Sequence, residues 1–211
     1  MALRDYASWH DHYDRPGSSL HLRLLVVRDL VDQALDRAPP GPIRMVSMCA
    51  GQGHDILGAA ARHRRGPDVT GRLVELLPGN VAAARERAAA AGLDGIEVVE
   101  ADAGVSDAYA GAVPADLVLA CGVFGNVPDA DIEATVRFLP RLCAPGATVV
   151  WTRDPRDPTI VGRIEGWLGE AGFAVEPFVM PADRGFGVGA ARLTGDPLPF
   201  EPGRLLFRFV R

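Results

Sequence analysis

The chain has 211 residues, 48% of them hydrophobic, which suits one substantial core and leaves little room for a second full domain. Its formal net charge of -5 argues against broad binding to a nucleic-acid backbone, which rests on clustered positive charge. No run approaches the roughly 18 consecutive apolar residues of a membrane span, and Met1 to Trp9 lacks the basic-then-apolar order of a secretion signal, so a cytoplasmic protein away from membranes is expected.

All 22 Lys and Arg residues are arginine, which removes lysine as a Schiff-base former or general base. Cys49, Cys121 and Cys143 are widely spaced and form no C-x-x-C pair, so neither a disulfide framework nor a zinc site is encoded. They read as small buried hydrophobes.

Along the chain, Tyr6 to Asp14 and Leu20 to Ala38 are expected to be helical, the second with Leu20, Leu24, Val27, Leu30, Val31 and Leu35 at helix spacing. Residues 1–40 would form an N-terminal helical lid segment ahead of a single domain at 41–211. Pro39-Pro40-Gly41-Pro42 ends the second helix and delivers the chain to a first strand.

Near-continuous apolar runs then predict strands at Ile43 to Cys49, Val69 to Glu75, Ile96 to Ala101, Ala115 to Cys121 and Ala147 to Thr152. Between them lie expected helices at His54 to Arg64, Pro78 to Ala91, Asp129 to Leu142 and Pro158 to Ala171. The basic run Arg62-His63-Arg64-Arg65 reads as the solvated end of the first of these. Strand alternating with helix predicts a doubly wound, mostly parallel sheet. Phe173 to Met180, Gly187 to Thr194 and Arg204 to Val210 are strand-like with no helix between them, so antiparallel pairing is expected at the C-terminal side and the sheet becomes mixed.

At the end of the first strand, Cys49-Ala50-Gly51-Gln52-Gly53-His54-Asp55 places two glycines where a backbone turns tightly and approaches a ligand, ahead of a helix N-terminus. A dinucleotide fingerprint needs a small residue three positions after the second glycine, where this chain has Ile56, and a phosphate loop needs a lysine. A nucleoside without pyrophosphate fits better. Glu75 ends the second strand where a carboxylate accepts from ribose hydroxyls, and Asp102 follows the third strand where an acceptor meets an exocyclic amine. Asp102 also has a simpler role open to it, capping the short helix that begins near Val105.

In this order, "CAGQG", "RLVELLPGNVAAARERA", "VVEADA" and "ADLVLACGVFGNVPD" resemble the class I S-adenosylmethionine-dependent methyltransferases. The likeness covers about Ile43 to Thr152. It implies a Rossmann-like seven-stranded sheet with N-terminal helices and antiparallel C-terminal strands, S-adenosyl-L-methionine as cofactor, and methyl transfer to an acceptor by in-line displacement. It also implies a cofactor contact set of Cys49, Ala50, Gly51, Gly53, Asp55, Glu75, Leu76, Asp102, Ala103 and Cys121, in which the glycine turn faces the methionine part. The family commonly has an acid where this chain has Cys49, and often a third glycine where it has Asp55. Asp55 is the candidate to contact the cofactor ammonium in its place.

Acceptor residues are expected in the loop after the fourth strand, with Phe124 shaping an apolar pocket and Asn126 orienting a polar group. Arg153 and Arg184, leaving the sheet on the ligand edge, are candidates to clamp a substrate carboxylate in forked geometry. Within Trp9-His10-Asp11-His12-Tyr13-Asp14-Arg15, histidines two apart do not share a helix face, which argues against a metal site. His10 and Tyr13 are lid candidates, and His10 or His12 would serve as general base where the acceptor needs one. The expected acceptor is a small molecule. An RNA methyltransferase with a basic surface assembled from scattered arginines, and an inert S-adenosylmethionine-binding regulatory protein, are the alternatives. Nothing in the sequence fixes the oligomeric state.

Overall fold

The computed structural model describes Tyr13 and residues 15–154, 158–181 and 185–210. Helix α1 (Ser19–Arg37) starts where the Ser18 hydroxyl accepts the His21 N–H at 3.1 Å and ends one residue before the proline pair, at Ala38. It buries Leu24, Val27, Val31 and Leu35, as its spacing predicts, each contributing roughly 1.5–3 kcal/mol of hydrophobic stabilisation. Then follow β1 (Ile43–Met48), α2 (Ile56–Ala60), β2 (Val69–Glu75), α3 (Pro78–Ala90), β3 (Ile96–Glu100), β4 (Ala115–Ala120), α4 (Asp129–Phe138), β5 (Cys143–Arg153), α5 (Pro158–Glu170), β6 (Phe173–Val175) and β7 (Gly187–Leu193).

The seven strands form one sheet in the order β3-β2-β1-β4-β5-β7-β6. β1 pairs in parallel with β2 and β4, β2 with β3, and β4 with β5. β7 runs antiparallel to both β5 and β6. Side chains alternate across each strand, so the sheet has a core on each face. Met45, Leu117 and Val150 pack with α1, α2 and α3, while Val46, Val118, Val149 and Trp151 pack with α4 and α5. All the parallel strands therefore end at one edge, and their C-terminal loops meet there.

Besides Phe173 to Met180, which is strand only over Phe173–Val175, two predicted elements differ from the structure. The helix expected at His54 to Arg64 is only the five residues of α2. The chain turns back so that Gly66 lies on the carbonyl of Ala60, where a Cβ would come within 1.9 Å of that oxygen. The basic run after it lies beyond the helix but is solvated as expected at Arg62 and Arg64, with Arg62, Arg64 and Arg65 pairing with Asp32, Asp36 and Asp68, each at 2.6 Å.

The other is the run Arg204 to Val210, which does not join the sheet. It is an extended strap with one bridge, Leu205 to Val105. The Leu206 N–H donates to the Gly104 carbonyl at 2.7 Å, the Arg208 N–H to Asp131 Oδ2 at 2.9 Å, and the Val210 N–H to the Asn126 carbonyl at 3.0 Å. Phe207, 2% exposed, anchors it in the core.

Candidate functional site

The glycine turn is built by three left-handed residues, Cys49 (φ 51°), Gly51 (φ 55°) and Gly53 (φ 69°). Cys49 is the one non-glycine residue with positive φ among the described residues. Its strain is held by neighbours on both sides: the Ala50 N–H donates to the Val74 carbonyl and the Gly53 N–H to the Ala50 carbonyl, both at 2.9 Å. Gly53 also has no room for a side chain, since a Cβ would lie 2.6 Å from Leu57.

Glu75, 7% exposed at the end of β2, reaches across to this turn. Its Oε2 accepts the Gly51 N–H and its Oε1 the Leu77 N–H, each at 2.8 Å. A carboxylate has about four acceptor positions, so two remain after these bonds. On the next strand end, Asp102 Oδ1 accepts the Gly104 N–H at 2.8 Å, and the buried Tyr109 hydroxyl donates to the Ala103 carbonyl at 2.6 Å. Leu76 stands 59% exposed beside them, an apolar face at the crevice mouth.

Across the crevice, the loop after β4 is pinned to β5. The Gly122 N–H donates to Thr152 Oγ1 and Asn126 Nδ2 donates to the Gly122 carbonyl, both at 2.7 Å. Asn126 thus braces its own loop. The Phe124 ring is fully buried, 6.1 Å from Trp151, so it belongs to the core beneath the loop. Arg153 Nη1 donates to the Phe124 carbonyl.

Tyr13 is brought to the same edge. Its ring stacks on His54 at 4.8 Å and 18°, and its hydroxyl accepts from Arg23 Nη2 at 2.7 Å. Burial raises the Tyr13 pKa, helped by the nearby Asp55 and Cys121 and opposed by Arg23. Its proton is therefore held more tightly than usual, which suits a hydrogen-bonding cover and not a base. His10, His12 and Arg184 lie outside the described residues.

Asp55 caps α2 by accepting the Ile56 N–H at 2.8 Å, and burial raises its pKa against the opposing pull of Arg23 and Arg28. Burial also pushes the Cys49 and Cys121 thiols up, so neither is a ready nucleophile.

Four supports went unseen in the sequence. Thr152 sits where an apolar strand residue is expected, yet its side chain, 3% exposed, accepts the Gly122 N–H. His54 is 6% exposed, with its carbonyl gripped by Arg28 Nε and Nη2 at 3.0 and 2.6 Å. Gly58 makes that grip possible, since a Cβ there would lie 2.1 Å from Arg28 Nη2. A small residue after the second glycine is the usual sign of close helix packing, and it appears here five positions on instead of three. Among the described residues no group of three or more His, Cys, Asp or Glu is placed to hold a metal, and no helix is long and apolar enough to cross a membrane.

No family model and no curated protein matches the chain. Solved structures do match its fold. An O-methyltransferase family protein from Burkholderia thailandensis is 18% identical with a TM-score of 0.64, over 82% of this chain and 55% of that one. The chain thus spans little more than half the length of that relative. Magnesium protoporphyrin IX methyltransferase from Synechocystis PCC 6803, with bound SAH, is 14% identical with a TM-score of 0.66, over 89% and 93% of the two chains. Ribosomal protein L11 methylase from Lactobacillus delbrueckii subsp. bulgaricus is 18% identical with a TM-score of 0.56, over 81% and 79%. With its strand order and its single antiparallel hairpin at one edge, the chain has the class I S-adenosylmethionine-dependent methyltransferase fold.

Proposed function

We propose that this protein binds S-adenosylmethionine across the carboxyl edge of its sheet and transfers the methyl group to a small-molecule acceptor. The observation that carries this reading is Glu75, a buried carboxylate tied to the glycine turn with acceptor positions to spare. The donor set fits the cofactor: Glu75, Asp102 and Asp55 are acceptors matched to ribose hydroxyls, an adenine amine and an ammonium, and the ligand's sulfonium suits an acidic crevice better than a pyrophosphate would. Glu75 would hold the ribose, Asp102, Ala103 and Leu76 the adenine, and the turn at Cys49, Ala50, Gly51 and Gly53 the methionine part, with Cys121 lining the cleft.

When bound, the cofactor supplies a methyl group already activated by its positive sulfur. What is left to the protein is alignment and exclusion of water. The bonds from Thr152 and Asn126 hold the loop at 122–126 in one shape beside the crevice, and Tyr13 covers the turn from the N-terminal side. Where the acceptor is a hydroxyl or a protonated amine, His10 or His12 would take its proton. Undiminished turnover after replacing both histidines would reject that role.

A small acceptor is favoured over RNA by the fate of the arginines. The densest basic run is spent on Asp32, Asp36 and Asp68, and Arg72 and Arg163 pair with Glu97 and Asp129. Calorimetric titration with S-adenosylmethionine tests the binding, and transfer of labelled methyl to a metabolite panel separates an enzyme from an inert binder. RNA binding that weakens steeply with salt would favour the other substrate class.

Asp55 gives a prediction with opposite signs for stability and binding. Burial raises its pKa in the fold, so the ionised form opposes folding at neutral pH. Asp55→Asn keeps the helix cap, and the ligand-free variant is expected to unfold at higher temperature than the parent at pH 7.5. The difference should fade as pH falls through the raised folded value toward the unfolded value of about 4. Affinity for S-adenosylmethionine should drop at least about tenfold, the scale of one lost charge-assisted bond. Thermal melts across pH and titration of both proteins check the two halves.

A further inference from the structure

Among the described residues, four side chains carry a buried nitrogen or oxygen with no hydrogen-bond partner, and two of them, Trp151 Nε1 and Arg153 Nε, are neighbours. They lie two residues apart on β5, hence on the same face and about 7 Å apart along the strand. Both are donors. A buried donor without an acceptor costs roughly 1–3 kcal/mol, so Arg153 Nε, at the end of the strand, calls for an acceptor.

Arg153 has a second peculiarity. Its guanidinium uses Nη1 on the Phe124 carbonyl, and no carboxylate among the described residues pairs with it. The Nε–Nη2 edge, which takes a carboxylate through two parallel bonds, makes no hydrogen bond to any described residue. This edge stands at the end of β5, beside the loop at 122–126.

The surroundings are apolar. Phe178 stacks on Trp151 at 5.0 Å and 25°. Its ring crosses Gly187, the residue opposite Arg153, where a Cβ would lie 2.2 Å from the ring. Val179 bridges to Val188, which pairs with Thr152 and so lies on the other face, while the next residue, Met180, is 56% exposed. Arg153 is thus a forked cation at the edge of an aromatic and aliphatic surface.

We propose that the acceptor is a carboxylic acid with an apolar body, its carboxylate taken side-on by the Nε–Nη2 edge of Arg153 and its body resting on Phe178 and Met180. This names the substrate class of the function proposed above and rests on it. The carboxylate satisfies the buried Nε, and anchoring one end of the molecule at the end of β5 sets the other end toward the crevice after β4.

The test uses benzoate, cinnamate and octanoate with hydroxyl or amino substituents, each beside its primary amide, and the protein saturated with S-adenosylhomocysteine. Acids are expected to raise the unfolding midpoint and amides to leave it unchanged. Arg153→Met should weaken acid binding about 30-fold, the scale of a lost charge-assisted pair, with the dissociation constant of S-adenosylmethionine within about twofold of the parent. Arg153→Lys should recover only part of the loss, because a point charge cannot reproduce the fork. Equal binding of acids and amides, no binding of any acid, or parental acid binding by Arg153→Met would each overturn the inference. The acid-versus-amide comparison on the parent stands even where the methionine variant fails to fold. Failure of the parent to bind either form of the cofactor would overturn the underlying function, and this inference with it.

Discussion

Glu75→Gln should lose S-adenosylmethionine affinity on the order of 100-fold, as two charge-assisted bonds to the ribose become weaker and one acceptor oxygen becomes an amide donor. The same change acts on the fold. Both carboxylate oxygens accept backbone N–H groups, from Gly51 and from Leu77, and a glutamine offers an acceptor to only one of them. The other N–H then faces an NH2 group in a site where the parent side chain is 7% exposed. That mismatch should remove roughly 1–3 kcal/mol of stability, and about 2–4 °C of midpoint for each kcal/mol in a chain of this size. Titration calorimetry and a thermal melt separate the two effects, and an unchanged dissociation constant would remove Glu75 from the ribose site.

The largest loss of stability is expected at a residue that touches no ligand. Gly71 lies inside β2 with φ 131°, paired to Met45 of β1 on one side and Ile96 of β3 on the other. A Cβ there would sit 1.9 Å from the Met45 carbonyl oxygen and 2.8 Å from the Met45 nitrogen. These are backbone atoms at the centre of the sheet, so neither can move aside alone. Gly71→Ala must break the β1–β2 ladder at that pair or shift β2 as a whole, and Glu75 rides on the same strand. A loss of at least about 3 kcal/mol, or about 10 °C, should appear in thermal or urea unfolding. Gly166→Ala is the control: it lies in α5 with nothing within 4 Å of its Cβ, and should be neutral or slightly stabilising. A Gly71→Ala midpoint matching that of the control would refute the account.

Much of this fold is written locally. Val69 to Glu75 is bounded as a strand by its own apolar run, and a carboxylate closing that run has no purpose in a sheet buried on both faces unless it holds something. Glu75 was therefore legible as a carboxylate with a partner to hold, which the structure shows to be the backbone of Gly51 and Leu77, and so were the glycines of the turn, whose positive φ values explain the residue type. The remaining parts depend on partners far away in sequence. Arg204 to Val210 has the composition of a strand, but it bonds to Gly104, Asp131 and Asn126, and no local pattern reveals whether an extended segment meets a sheet edge or a set of loops. α2 carries a helical pattern beyond Ala60, yet the contact of Gly66 with the Ala60 carbonyl stops it. Phe124 reads as a loop aromatic because Gly122 and Gly125 bracket it, whereas its ring packs toward Trp151 of β5 in the core. Thr152 and Arg28 are likewise defined by what they reach.

The strap at 203–210 gives the crevice a timetable. It is translated after every loop it fastens, the one at 102–106 on one side and the one at 122–126 on the other. A nascent polypeptide can therefore set its strand register before the two banks of its crevice are laced together. In the function proposed above, recognition of a nucleoside would then be a late event in the life of the molecule, completed by a stretch of chain whose bonds to both banks run through its backbone.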